Sequence, residues 1–239
     1  MAGAKVLARP KAAPPKHARA RAAAAKFVPI SVPFLLRMLK KAHPGARCSL
    51  DYRNAFELLV ATILSAQCTD ERVNRTTPEV FRRWPDAKAL AEADLPEIEE
   101  AIRSTGFFRM KAKALSAMSR DLVEKFGGQP PATLEDLVTL RGVGRKTANV
   151  VLGNAFGIHE GVVVDTHVGR LSRRLGLTRE ADPVKVEQDL MKAIPRREWT
   201  LFSHLLIHHG RSTCNARKPR CSVCPLRAEC PRVGVTISA

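Results

Sequence analysis

Four cysteines near the C-terminal end have the residue type and the spacing that could hold an inorganic centre. They follow a Cys-x6-Cys-x2-Cys-x5-Cys pattern within seventeen residues, at Cys214, Cys221, Cys224 and Cys230. Two disulfides are one alternative, but no signal peptide is recognisable, and disulfides are rare in proteins that are not secreted. Zinc is a second alternative, although structural zinc sites usually take two short-spaced pairs of ligands. Because cysteine thiolates are the usual ligands of iron–sulfur clusters, we favour such a cluster.

The loop between the first two of these cysteines is strongly basic. It carries Arg217, Lys218 and Arg220, so a cluster bound beside it would hold three positive charges where they can contact phosphate. The predicted role of the cluster is therefore structural before it is redox. Two further cysteines, Cys48 and Cys68, stand alone in the sequence and are interpreted as packing residues.

A pair of glycines in the middle of the chain forms a second pattern. Gly142, Val143 and Gly144 separate two stretches with helical spacing of apolar residues, and Arg145 follows them. Two glycines permit a tight turn whose backbone N–H groups, with the following helix N-terminus, can hold a phosphate without reading a base. Nucleotide-binding P-loops and dinucleotide-binding motifs fit this segment poorly. An ordinary turn between two helices is the alternative, and it explains one glycine better than two.

The charge of the chain points to a polyanionic partner. Its 239 residues include 40 Lys or Arg and 23 Asp or Glu, a formal net charge of +17. Nucleic acid is the usual partner at such an excess, and a merely soluble basic surface is the alternative. Residues 1–50 contain no acidic residue, and residues 1–26 lack the apolar side chains of a core. We predict a disordered basic arm over 1–26 that tethers the protein to DNA; a transit peptide or a functionless extension are the alternatives.

The elements that must position these motifs are helices. Apolar residues recur at helical spacing after residue 30, and glycines and prolines separate the stretches. The short apolar run from Val162 to Val164 is interpreted as an extended connection. No run of eighteen apolar residues occurs, so no membrane-spanning helix is predicted. With 45% hydrophobic residues the chain can bury one or two cores, and the predicted fold class is all-α.

The hairpin, Lys146, the Val-Asp-Thr-His segment at 164–167 and the cysteine spacing together resemble the endonuclease III family of helix-hairpin-helix DNA glycosylases and AP lyases. The resemblance runs from about residue 27 to residue 230. It implies two helical lobes on either side of a DNA cleft, and a [4Fe-4S] cluster on the four cysteines. One lobe would be a six-helix barrel over 48–158 that contains the helix-hairpin-helix. The other, a discontinuous iron–sulfur cluster domain, would combine 27–47 with 159–239.

The same resemblance assigns the catalytic roles to Lys146 and Asp165. A lysine amine can attack the sugar C1′, form a Schiff base and permit β-elimination. Lys146 is expected at the start of a helix beside Arg145, where positive potential and partial burial would favour the neutral amine. Asp165 matches the carboxylate that stabilises positive charge on the sugar, and it is equally placed to cap the following helix. His167 is expected to be structural or to contact phosphate.

A glycosylase must also extrude its target base and fill the space that the base leaves. By resemblance, Gln67 is the residue that fills this space, and Phe107 occupies the wedge position opposite. A core aromatic is the ordinary alternative for either Phe107 or Phe108. The chain departs from the family pattern at Arg141, where proline is common. This arginine removes a rigid backbone angle and adds charge near phosphate, which is expected to alter binding more than chemistry.

The predicted function is therefore base-excision repair of duplex DNA. The enzyme would be a bifunctional DNA glycosylase and AP lyase that removes oxidised pyrimidines of the thymine-glycol type and nicks the strand by β-elimination. An adenine-excising mismatch glycosylase of the same fold and a non-catalytic DNA-binding iron–sulfur protein are the alternatives. The protein is expected to act as a monomer on damaged or abasic DNA, with no membrane association, in a bacterial-type cytoplasm beside the nucleoid.

Overall fold

The computed structural model describes residues 28–239, and in this part of the chain every regular element is helical. The predicted all-α class is confirmed, whereas the predicted arm over 1–26 lies outside the described residues. The segment following α8 is a π-helical turn, Leu152–Phe156. The α-helices of the described residues are α1 (Val32–Ala42), α2 (Ala55–Leu64), α3 (Asp70–Arg83), α4 (Ala87–Glu92), α5 (Leu95–Ala101), α6 (Phe108–Phe126), α7 (Leu134–Leu137), α8 (Arg145–Val151), α9 (Thr166–Arg174), α10 (Pro183–Ala193) and α11 (Trp199–Ser212).

Short polar side chains determine where six of these helices begin. The Asn54 side chain, for example, accepts a hydrogen bond from the Glu57 N–H at 2.9 Å at the start of α2. Such a cap satisfies a backbone donor that the helix cannot pair, and it contributes about 1 kcal/mol. At the other end of α6, Gly127 takes the left-handed conformation that terminates the helix. The capping residues are Asn54, Thr69, Asp86, Thr133, Asp165 and Asp182.

The helices that the apolar spacing does not single out are α3, α4, α5 and α10. Helix α3 is the longest of these, and it buries Thr76 and Thr77 beside three apolar residues. Pro78 lies inside α3, where a proline would ordinarily indicate a helix end. The apolar residues of α3 alone are therefore too few to predict a helix. Its buried face includes two threonines as well as apolar side chains.

Two separate hydrophobic cores divide the described residues into two lobes. The first lobe buries side chains between Leu50 and Leu152, contributed by helices α2 to α8 and the turns between them. The second lobe combines Ile30, Leu35 and Leu39 from the N-terminal side with buried residues between positions 162 and 226. Helix α1 thus packs with the C-terminal part of the chain, and the backbone N–H of Ile30 donates to the Leu175 carbonyl at 3.1 Å.

The connection between the lobes is short and extended. Residues 159–165 contain no helix, as predicted for the apolar run at 162–164, and Val162 and Val163 are buried. The connection leads directly into α9, so it fixes the distance between the hairpin helix α8 and the start of the second lobe. No helix within residues 28–239 is both long and apolar enough to cross a bilayer.

Candidate active site between the two lobes

A cavity of about 610 Å³ lies between the two lobes and brings Lys146 and Asp165 together. Lys146 is in the first turn of α8 in the first lobe, and Asp165 immediately precedes α9 in the second. Both residues also line a neighbouring cavity of about 530 Å³. An amine and a carboxylate from different lobes therefore border the same solvent-filled space.

The carboxylate of Asp165 is held in place by the helix that it caps. Its Oδ1 accepts a hydrogen bond from the Val168 N–H at 2.7 Å, so the capping alternative is confirmed. Asp165 is half-buried. A bond to backbone fixes the orientation of the carboxylate and lowers the entropy that the group would lose when it acts on a ligand.

The amine of Lys146 is free, and the expectation that Lys146 is partly buried was wrong. The side chain is exposed, because the first turn of α8 opens onto the cleft. Within residues 28–239 it makes no hydrogen bond or ion pair. An amine without a partner is available to a ligand that enters the cleft.

The glycine hairpin joins α7 to α8 through two glycines with different requirements. Gly142 has φ +82°, and a Cβ there would lie 3.2 Å from the Ala114 Cβ, so both conformation and packing require glycine. Gly144 caps α8 with an ordinary φ of −93°, and a Cβ there would meet open space. Val143 between them is 5% exposed and belongs to the first core. The turn is thus anchored by Val143, and it leaves the backbone at Gly144 uncovered.

Arg141 pairs with a buried carboxylate of the first lobe although its side chain is 59% exposed, and its predicted effect on DNA binding stays a prediction. Its guanidinium donates to the buried carboxylate of Asp121 at 3.1 and 3.2 Å, and its backbone N–H donates to the same carboxylate at 2.9 Å. Burial alone would raise the pKa of Asp121, but the hydrogen bonds from Arg141 and Lys125 outweigh it and lower the pKa to about 2. An ion pair therefore ties the entry of the hairpin to α6.

Arg145 pairs with an acidic residue of the other lobe. Its Nε lies 3.0 and 3.1 Å from the two carboxylate oxygens of Glu187 in α10. The Asn149 side chain donates to the same carboxylate at 3.0 Å. A Cβ on Gly161 would lie 2.0 Å from the Glu187 Oε1, so the interlobe connection needs glycine there. These contacts fix α8, which carries Lys146, against α10.

Gln67 and Phe107 border one cavity of about 360 Å³ at the edge of the cleft, and Gly142 of the hairpin borders it too. Both Gln67 and Phe107 have left-handed backbone conformations, with φ of 53° and 49°. Phe107 is 60% exposed, unlike a core aromatic, while Phe108 packs against the first core. Met110 also lines this cavity and is 73% exposed. The apolar spacing of α6 follows its buried face and does not identify Met110 as an exposed apolar residue.

The cavity around Lys146 also has polar lining residues that the sequence does not distinguish from other surface groups. Arg211 donates to Asp70 at 2.7 Å and to the Ser49 hydroxyl at 3.2 Å. His204 and Asn154 are hydrogen-bonded at 2.7 Å, and burial lowers the pKa of His204 to about 4. Arg211 and Asp70 are 141 positions apart in the sequence, and His204 and Asn154 are 50 apart. No local pattern therefore predicts these pairs.

The remaining isolated residues have structural surroundings. His167 is half-buried and contacts Arg170 at 3.3 Å, and burial lowers its pKa. It also packs against Gly210, where a Cβ would lie 2.8 Å from the His167 Nδ1. Cys48 and Cys68 are both half-buried and pack against the first core, as predicted.

The four C-terminal cysteines line a single apolar cavity in the second lobe. All four are free thiols and half-buried, and Leu171, Leu226 and Val235 border the same space. Burial raises the pKa of the Cys224 thiol to about 11, and the neighbouring thiols add to this effect. Among residues 28–239, no group of three or more His, Cys, Asp or Glu side chains is close enough to share one metal ion.

Two arginines of α9 hold the loop that begins at Cys214. Arg174 donates to the Asn215 and Ala216 carbonyls at 2.7 and 2.6 Å and to the Cys214 Sγ at 3.3 Å. Arg170 donates to the Cys214 carbonyl at 3.0 Å. Their four-residue spacing puts them on one face of α9, which is the signal that could have identified them. The three basic residues of the loop are exposed and have no ion-pair partner in the described chain: Arg217, Lys218 and Arg220.

A buried histidine connects one of these cysteines to the surface. The His209 Nε2 lies 3.4 Å from the Cys224 Sγ, and its Nδ1 lies 3.2 Å from the His43 Nε2. His209 is completely buried, and burial followed by repulsion from His43 lowers its pKa to about 4. His209 is therefore neutral at pH 7 and can donate one N–H. The sequence does not distinguish His209 from the adjacent His208.

Comparison with known proteins shows similarity over most of the chain. Residues 60–196 match the model of the HhH-GPD superfamily of base excision DNA repair proteins. Endonuclease III of a Synechocystis species is 60% identical over 197 residues, covering 82% of this chain and 90% of the relative. The Bacillus subtilis endonuclease III is 44% identical over 200 residues, covering 83% and 91%.

The chain belongs to the endonuclease III family. It is thus a DNA glycosylase and AP lyase of base-excision repair, as the sequence predicts. A solved structure of a trapped endonuclease III–DNA covalent intermediate is similar, with a TM-score of 0.79 and 42% sequence identity. The alignment covers 83% of this chain and 93% of that one. The two-lobed fold is therefore the endonuclease III fold.

Proposed function

We propose that this endonuclease III homologue removes oxidised or ring-saturated pyrimidines, of the thymine-glycol type, from duplex DNA and nicks the strand through a Schiff base at Lys146. The observation that carries the proposal is the cavity between the lobes, which both the unpaired Lys146 amine and the Asp165 carboxylate border. An acyl or phosphoryl transfer site would need a different nucleophile and base. An amine beside a carboxylate suits attack on a sugar carbon that develops positive charge.

Each step assigns a defined task to these two residues. The neutral Lys146 amine attacks C1′, and the damaged base leaves with the electrons of the glycosidic bond. The Asp165 carboxylate stabilises the positive charge on the sugar and accepts or returns protons as the ring opens. The resulting Lys146 iminium acidifies the C2′ proton, and its removal expels the 3′ phosphate by β-elimination. Water then hydrolyses the imine and releases the enzyme.

A relative supports the covalent route. The similar solved structure is that of a trapped endonuclease III–DNA covalent intermediate, an estranged-adenine complex. Its 42% identity to this chain favours the same chemistry here. A base displaced from its partner in that complex also fits our assignment of Gln67 and Phe107 as the residues that enter the DNA stack.

The DNA would lie across the cleft and contact both lobes. We assign phosphate contacts to the backbone at Gly142, Val143 and Gly144, since the position above Gly144 is open. Arg145 would add positive potential at this point, although its guanidinium already pairs with Glu187. On the second lobe, the exposed Arg217, Lys218 and Arg220 would contact the backbone of the duplex.

We propose that Cys214, Cys221, Cys224 and Cys230 hold a [4Fe-4S] cluster. The donor set fits, because four free thiols line one cavity and none is paired in a disulfide. Four cysteine thiolates are the usual ligand set of such a cluster. The bound cluster would supply cross-linking of the loop to the lobe rather than chemistry on DNA. Arg174 and Arg170 hold the same loop through its carbonyls.

The domain boundaries and the setting of the reaction are part of the proposal. The two cores support a barrel domain over 48–158 and a cluster domain made of 27–47 and 159–239. The similar curated proteins are bacterial, which favours action on chromosomal DNA in a bacterial cytoplasm. The chain would act as a monomer, since both catalytic groups come from one copy.

Borohydride trapping tests the chemistry directly. The wild-type protein and Lys146→Gln are incubated with duplexes that carry thymine glycol, an abasic site, or adenine opposite 8-oxoguanine. We expect a covalent adduct with thymine glycol and with the abasic site, and no adduct with Lys146→Gln. Lys185→Gln is a matched control, because this lysine lies in α10 outside the cavity around Lys146 and is expected to leave trapping unchanged.

Other results would redirect the assignment. Release of free base without any adduct would make the enzyme monofunctional and would remove the proposed role of Lys146. Excision of adenine opposite 8-oxoguanine, with thymine glycol left intact, would contradict the pyrimidine assignment and favour an adenine-excising mismatch glycosylase. Salt-dependent duplex binding without product from any lesion would contradict the catalytic assignment altogether.

A further inference from the structure

A buried lysine joins the two segments that we assign to base extrusion. They are residues 64–67, the Gln67 segment, and residues 104–107, the Phe107 segment. Lys111 lies in the first turns of α6 and is 4% exposed. Its Nζ donates to the Leu64 carbonyl and to the Thr105 carbonyl, each at 2.8 Å. A lysine is rarely buried to this extent without an acidic partner. Here backbone carbonyls replace the water that the amine would otherwise bind.

Each of these carbonyls lies just before a residue with an unfavourable backbone conformation. Leu64 precedes Gln67 by three residues, and Thr105 precedes Phe107 by two. Both Gln67 and Phe107 have positive φ, which persists in a residue with a side chain only where the surroundings enforce it. One amine thus bonds to the backbone of both segments.

The rest of each segment is fixed independently, so the lysine provides the link between them. The Ser104 and Thr76 hydroxyls are 2.8 Å apart and tie the Phe107 segment to α3. The Ser65 hydroxyl donates to the Thr62 carbonyl at 2.8 Å within the Gln67 segment. Of the residues that border the shared cavity, Lys111 alone donates hydrogen bonds to both segments.

We propose that Lys111 is a positioning residue that couples the Gln67 and Phe107 segments, so that both side chains enter the DNA stack together when the target base is extruded. This inference rests on the proposed function, in which these two residues replace and separate the bases. The amine can donate to both carbonyls in its protonated or its neutral form, although burial lowers its pKa. A methionine of similar length fills the same space but donates to neither carbonyl.

The coupling predicts a selective defect in Lys111→Met. Excision of thymine glycol from a duplex should slow by about 10- to 100-fold, since a shift of about 1 Å in a positioning group has effects of this size. The rise of 2-aminopurine fluorescence opposite the lesion, which reports base extrusion, should slow equally. Borohydride trapping on single-stranded abasic DNA should change less than about twofold, because no base needs to leave a stack.

Met118→Ala is the matched control for general destabilisation. Met118 lies two turns further along α6, is completely buried and has no donor that could bond a carbonyl. Its cavity should lower the melting temperature while it slows duplex excision and single-strand trapping to the same small extent. Equal effects of Lys111→Met on both substrates would show that Lys111 only supports folding, and this result would overturn the inference.

A double-mutant cycle with Phe107→Ala keeps the test decisive. If Lys111 acts through the segments, Lys111→Met should add less than about threefold to the loss already caused by Phe107→Ala. Fully multiplicative losses would contradict the coupling. Lys111→Leu, which likewise lacks a donor, replaces the methionine variant if that variant does not fold. Failure of the wild-type enzyme to release thymine glycol would instead contradict the proposed function and not the packing argument.

Discussion

The ion pair between Arg141 and Asp121 predicts a measurable loss of stability when its buried charge is removed. Asp121 is 4% exposed at its side chain and accepts from Arg141 and Lys125. Its pKa falls from 3.8 to about 2, a difference that corresponds to about 2 kcal/mol at 1.36 kcal/mol per unit. We expect Asp121→Asn to lower the free energy of unfolding by up to this amount, because Arg141 is partly exposed and solvent screens its contribution.

The sign of the pH dependence follows from the direction of the shift. A carboxyl whose pKa is lowered in the folded state stabilises the protein fully above the unfolded pKa of 3.8. This stabilisation is lost as the pH falls from 3.8 through about 2. The difference between wild type and Asp121→Asn should therefore be the same at pH 7 and at pH 5.

Thermal denaturation followed by circular dichroism measures the difference, at one scan rate for all variants. A loss of about 2 kcal/mol should lower the melting temperature by about 4 to 8 °C in a chain of this size. Glu92→Gln is the control, since it removes the same charge from an exposed position in α4 that has no charged partner in the described chain, and it should change the melting temperature little. Arg141→Gln completes a double-mutant cycle with Asp121→Asn. A coupling energy near zero in that cycle would refute the assignment of the ion pair.

Two further predictions concern the connection between the lobes and the loop near the cysteines. Gly161→Ala would place a methyl group 2.0 Å from the Glu187 Oε1, so it should lower the melting temperature by several degrees through strain at the interlobe contacts. An unchanged melting temperature would contradict the close approach. Replacing Arg217, Lys218 and Arg220 together with alanine should reduce the slope of log Kd against log salt for duplex DNA by about 2 to 3, since each phosphate contact contributes about 0.9. A salt titration by fluorescence anisotropy checks this, and a parallel line displaced without a change of slope would exclude phosphate contacts by the loop.

Local features of the chain were readable from the sequence because their physical range is three or four residues. The apolar spacing of α1, α2, α6 and α9 predicts helices, and the residues that end or cap these helices lie within one turn of them. The hairpin glycine Gly142 follows the same logic, since its backbone conformation needs glycine whatever surrounds it. The cysteine spacing likewise indicates a shared centre.

Tertiary structure alone decided which charges meet. Arg141 pairs with Asp121, which is 20 positions away in the sequence, and Arg145 pairs with Glu187, which is 42 positions away. The amine of Lys111 reaches a carbonyl 47 positions away. None of these pairs is favoured by spacing, because each depends on how two helices pack rather than on the period of either. The sequence therefore determined the strongly periodic helices, the hairpin and the family's motif residues, whereas packing of the two lobes decided that Lys146 is exposed, unpaired and borders the same cavity as Asp165.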